Sequence, residues 1–148
     1  MSRVPILPAL LIRGFFGLRG LAAVAMLGAA ASATASHPPT IPAPPSAAIE
    51  RAWRSIDDPQ LAAQLRPGRR LEPEECVVLL GLYRPSATRR QRSAVDHAGD
   101  AWRARLVRRL GEAGARQMIG SSVNPLAPTP PPLRQAAASW CVAHAPPR

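Results

Sequence analysis

Cys76, His97, Cys141 and His144 are residue types that hold zinc or copper, and Cys141-x-x-His144 would set two such ligands on one helix face. Strong metal signatures combine two closely spaced ligand pairs, and no second such pair accompanies Cys141-x-x-His144, nor is the C-x-x-C-H string that attaches haem present. The cysteines have a simpler use. The start of the chain reads as an export signal, exported thiols oxidise, and an even count in a small domain points to one disulfide, Cys76–Cys141. Closing a loop of about 65 residues would stabilise the fold by roughly 4 kcal/mol in the chain-entropy model. Metal binding through Cys and His stays as a lesser alternative, and no cofactor is expected.

Ser93, Asp96 and His97 contain the residue types of a hydrolytic triad. On one helix, however, positions i and i+1 do not face each other, and no glycine-framed nucleophile turn is present. Glu72, Glu74 and Glu75 could supply acid–base chemistry, but three carboxylates at the start of a helix are explained by its dipole. No residue is therefore assigned a catalytic role. Arg89, Arg92, Arg103 and Arg109 are candidates for a surface that meets an anionic partner. The chain has nineteen arginines, no lysine and a single asparagine, a bias that a GC-rich genome produces in every protein it encodes. The arginine excess is for that reason weak evidence of a polyanion, and no nucleic-acid motif accompanies it.

These residues need elements to hold them, and the chain divides into three parts. Residues 1–35 carry Arg3, Arg13 and Arg19, an apolar run from Leu21 to Ala31, and Ala33-Thr34-Ala35, which is the order of a cleaved signal peptide. The apolar run is about a dozen residues against the roughly 20 of a spanning helix, so an anchor is the weaker reading. Cleavage after Ala35 removes three arginines and no acid, leaving sixteen basic and nine acidic residues and a formal charge of +7. Residues 36–45, rich in proline, are expected to be a semi-rigid linker without packed structure.

Residues 46–148 are expected to form a single all-α domain, a bundle of about four to five helices. Ser46 is the expected N-cap of a helix over 47–55, with Ile49 and Trp53 on its core face. Asp58 caps and Pro59 opens a short second helix that ends at Pro67-Gly68. A third helix runs from Glu72 to Tyr83, apolar almost all round and hence central, although Val77–Leu80 also fits a buried strand. Ser86 is the expected cap of the longest helix, which carries a Val95, Ala98, Trp102, Leu106, Leu110 stripe and stops at Gly111. A short helix over 112–119, a Pro-rich loop over 124–132 and a last helix over 133–144 complete the expectation.

Arg54-x-Ile56-Asp57-Asp58-x-Gln60-Leu61 resembles the first-helix pattern of all-helical chorismate mutases. That family implies a long unbroken helix here and a lysine among its active-site cations; Pro59 breaks the helix and the chain has no lysine, so the family is not adopted. Small exported helical proteins with one disulfide also resemble, in class only, immunity proteins that neutralise toxins of neighbouring bacteria. The expected function is a periplasmic or secreted binding protein without catalytic activity, inhibitor- or immunity-like, whose partner is a protein or an anionic envelope component. The alternative is a small helical enzyme with an arginine-lined pocket for an anionic substrate and an inward-facing carboxylate.

Overall fold

The computed structural model describes residues 40–147, and the signal peptide expected over 1–35, with its cleavage site, lies outside the described residues. Five helices follow one another: α1 (Ser46–Arg54), α2 (Pro59–Gln64), α3 (Pro73–Tyr83), α4 (Arg89–Leu126) and α5 (Pro131–Ala143). No strand occurs among the described residues. Val77–Leu80 is therefore helical, and the reason is burial on every side. Seven residues of α3 are buried, with Cys76 and Leu79 at 0% exposure, because α4 packs along one flank and α5 along another. The α1 helix packs against α5, which completes an all-α bundle around α3.

The bridge joins Cys76 of α3 to Cys141 of α5, as expected, with their Cα atoms 5.6 Å apart. Beside it the buried Trp102 of α4 donates its indole N–H to the Cys141 carbonyl at 2.9 Å. The C-terminal end of α5 is thus fixed to both α3 and α4, and Leu133, Ala137 and Ala138 complete its buried face.

The local signals that start helices were partly legible. Asp58 accepts from the amides of Gln60 and Leu61 at 2.8 and 3.3 Å, and Pro59 takes the first helical position. Replacing Asp58 by alanine should lower the unfolding free energy by about 1 kcal/mol, the usual worth of an N-cap. An unchanged urea midpoint would show that α2 is held by Leu61 packing alone.

Three boundaries differ from expectation. Ser46 does not cap α1, because the Pro45 carbonyl already accepts from the amides of Ala48 and Ile49, which places Ser46 inside the first turn. Ser86 belongs to a 3₁₀ turn (Arg84–Ser86), and Thr88 caps α4 instead through a reciprocal pair, Gln91 N–H to Thr88 Oγ1 and Thr88 N–H to Gln91 Oε1. After Gly111, whose φ of 73° and ψ of 169° no other residue adopts without strain, helix continues past residue 119 to Leu126. Pro125, in the last turn, removes one amide bond and crowds the carbonyl four residues before it, while Leu126 is 1% exposed and anchors the segment in the core.

The expected 124–132 loop shrinks accordingly to residues 127–130. It is packed: Thr129 is 1% exposed, its hydroxyl donates to the Leu126 carbonyl at 2.6 Å, and Arg134 donates to the Thr129 carbonyl at 2.8 Å. Pro131 and Pro132 fall inside the first turn of α5, where a missing amide hydrogen costs nothing. The linker expectation also needs correction at one residue. Residues 40–45 are extended, as proline dictates, but Ile41 is 4% exposed and sits in the main core. Ser139 and Gln135 of α5 donate to the carbonyls of Ile41 and Pro42 at 2.8 and 2.9 Å, so this strap lies on α5.

Candidate functional site

Arg66-Pro67-Gly68-Arg69 joins α2 to α3 as a tight turn. Pro67 fixes φ at the second position, Gly68 has φ of 82° at the third, and the Arg69 amide donates to the Arg66 carbonyl at 3.1 Å. That is the pattern of a type II turn, in which only glycine is unstrained at the third position. The turn holds two arginines at its corners, and their environments differ.

Arg69 is a structural clamp. Its Nε donates to the Gln64 carbonyl at 2.7 Å, and its Nη2 bridges both oxygens of Glu75 at 2.5 and 2.6 Å. Glu75 is 8% exposed and also accepts from the Glu72 amide at 2.8 Å, so its carboxylate serves the cap of α3 and the turn together. Of the three carboxylates assigned to the helix start, Glu75 is thus bound on both oxygens, and Glu74 faces Arg109 at 4.0 Å. At that distance the contact is an ion pair without a hydrogen bond, which agrees with Glu74 Oε2 having no hydrogen-bond partner. Arg66, in contrast, is exposed and makes no ion pair among the described residues.

On one side of the turn lies a groove of about 180 Å³, floored by Ile49, Leu65, Leu71, Leu133, Ala137 and the Trp140 ring, with Arg66 and Arg69 at its lip. A second, shallower concavity on the other side is lined by Trp53, Pro59 and Ala62 and shares the same two arginines. Trp53 is half-buried, its indole N–H held by the Ala62 carbonyl at 2.8 Å. Trp140 is also half-buried, and it stacks between Trp102 at 6.4 Å and His144 at 4.3 Å. His144 makes a 2.8 Å contact from Nδ1 to the Trp140 carbonyl, which keeps its ring on that indole.

The residues singled out from the sequence lie elsewhere. Ser93, Asp96 and His97 are all exposed on α4. Asp96 is held by Arg84, whose Nε and Nη2 donate to its two oxygens at 2.6 and 3.1 Å. That hydrogen bond, helped by the charges of Arg84 and Arg92 against some desolvation, holds the Asp96 carboxyl below its ordinary range. A lowered carboxylate pKa contributes stability above its unfolded value and loses it as the pH falls through the depressed one. Both side chains are about half exposed, so solvent screens that contribution.

Cys76 and Cys141 are bonded to each other, which leaves neither sulfur as a thiolate and removes both from the Cys/His metal reading. Among the described residues no group of three or more His, Cys, Asp or Glu could hold a metal ion. Arg89, Arg92, Arg103 and Arg109 are all exposed. Arg92 donates to the Ala87 carbonyl at 3.1 Å, while Arg103 meets Glu112 at 3.5 Å and Arg109 reaches Glu74 at 4.0 Å. No helix among the described residues is long and apolar enough to cross a membrane.

Sequence reasoning placed Trp53 in the core, against which it packs half-buried, and missed Arg66 and Arg69. The readable signal was the turn itself, since Pro-Gly flanked by two arginines announces a fixed presentation of two cations. Comparison of the chain with family models, with curated proteins and with solved structures finds no match.

Proposed function

We propose that this is an exported binding protein of the inhibitor or immunity type, without catalytic activity, and that it recognises its partner at the groove beside the Arg66–Arg69 turn. The observation that carries this reading is convergence. The two half-exposed tryptophans of the domain each line one side of a rigid turn, and between them stands Arg66, which makes no ion pair among the described residues. Tryptophan and arginine are the residue types in which binding energy concentrates, and a pre-formed turn loses little conformational freedom on association. Export is supported by the basic, apolar and A-x-A order of residues 1–35.

The enzyme alternative asks for an inward-facing carboxylate in an arginine-lined pocket. Glu75 is the buried carboxylate next to the groove, and both of its oxygens are engaged by Arg69 and the Glu72 amide. A carboxylate that accepts three hydrogen bonds in this way holds the turn in place, and Glu75 is not among the residues that line the groove.

Ala136 lines the groove from α5 and is half-exposed, so glutamine there should fill it without unfolding the domain. A partner captured from the source cells by the wild-type protein should be retained by the control Ala104→Gln on the exposed side of α4. The same partner should be weakened by Ala136→Gln on the order of tenfold. Equal retention by both variants would remove the groove as the recognition surface.

A further inference from the structure

We infer, resting on the reading just given, that the groove takes an acidic protein segment: one large apolar side chain enters it while a neighbouring carboxylate pairs with Arg66. Size is the first argument. Sites for whole small molecules occupy roughly 300–1,000 Å³, whereas a cavity of about 150 Å³ holds one benzene ring. At about 180 Å³ the groove has room for a single leucine, phenylalanine or similar side chain, while the more open concavity of about 870 Å³ across the turn leaves space for the residues that flank it in a longer segment. Its floor is aliphatic and aromatic, which suits such an anchor and offers no polar partner to a sugar or nucleotide.

Charge is the second argument. The residues lining the groove and the second concavity include two guanidinium groups and no carboxylate. Glu75 neutralises Arg69 from behind, so among the described residues Arg66 is the cation at the lip that no carboxylate compensates. Because Arg66 lines both concavities, a segment laid across the turn passes it in either direction. A planar guanidinium without an internal partner is suited to a carboxylate, which it can meet with two parallel hydrogen bonds.

The test is a random peptide library displayed on phage and panned against the purified, disulfide-bonded protein. Enriched peptides should carry Asp or Glu within a few positions of Leu, Ile, Phe or Trp, and their binding should perturb Trp140 fluorescence. Arg66→Glu should weaken a selected peptide on the order of tenfold, and exchanging the acid of that peptide for lysine should restore binding to this variant. Arg70→Glu makes the same charge change at an exposed residue outside both concavities and should have a much smaller effect. Equal losses in the two variants, or peptides that bind the groove with no acid in common, would overturn the inference while leaving the groove as a recognition surface. Saturable binding of octanoate that displaces the peptides would overturn it in favour of a small amphiphile. Peptides that bind with no response to Ala136→Gln would sink both the inference and the function proposed above.

Discussion

Replacing Cys76 by serine is expected to lower the unfolding free energy by about 4 kcal/mol, the largest effect of any single substitution considered. The bridge closes a loop of 65 residues, so its loss returns a large part of the conformational freedom of the unfolded chain. Both cysteines are 0% exposed, and the new hydroxyl would be buried in the apolar core. A Cys76→Ala, Cys141→Ala double variant separates these contributions, since it removes the bridge without burying a hydroxyl. Urea unfolding with and without reductant measures both. Reduction of the native protein should be slow, because a thiolate must reach a sulfur that the bundle encloses. A reduced protein whose unfolding free energy lies within about 1 kcal/mol of the oxidised one would show that packing alone holds α5 on α3.

Arg69→Ala is expected to cost about 3 kcal/mol, the lower end of what breaking a buried pair does, because Arg69 itself is partly exposed. The penalty falls on Glu75. Its side chain is only 11% exposed and would keep one hydrogen bond, from the Glu72 amide, where it now has three. The turn would also lose its tie to the Gln64 carbonyl, and with it the fixed lip of the groove. Replacing both partners by methionine should be less damaging than Arg69→Ala alone, since no charge is then left buried. A double variant whose loss equals the sum of the single losses would contradict that account. In peptide binding, Arg69→Ala should act by loosening the groove, so the double methionine variant is expected to recover stability without recovering full affinity.

Much of this protein was determined by local sequence. Proline fixes φ, glycine alone takes a positive φ without strain, and Asp58 caps amides within two or three residues, so the start of α2, the break at Gly111 and the turn at Pro67-Gly68 are legible without the fold. The centrality of α3 was legible as well, because a helix that is apolar all round has no face to offer water. The pairing of Cys76 with Cys141 followed from there being only two cysteines. Other features were decided by packing. Pro125 lies inside a helix whose next residue, Leu126, is buried in the core, and Ile41 enters the core from a strap of residues 40–45 that has no regular secondary structure. The groove belongs to this second class. Ile49, Arg66 and Trp140 are far apart in the chain, and each alone reads as a core residue, a solvated charge or a helix-face aromatic. Their meeting depends on how α1 and α5 approach the α2–α3 turn, and on Glu75 consuming the charge of Arg69 while Arg66 keeps its own. Composition predicted abundant arginine everywhere; only tertiary contacts separate an arginine that clamps the fold from one left facing outward, because the distinction rests on which carboxylate lies within reach.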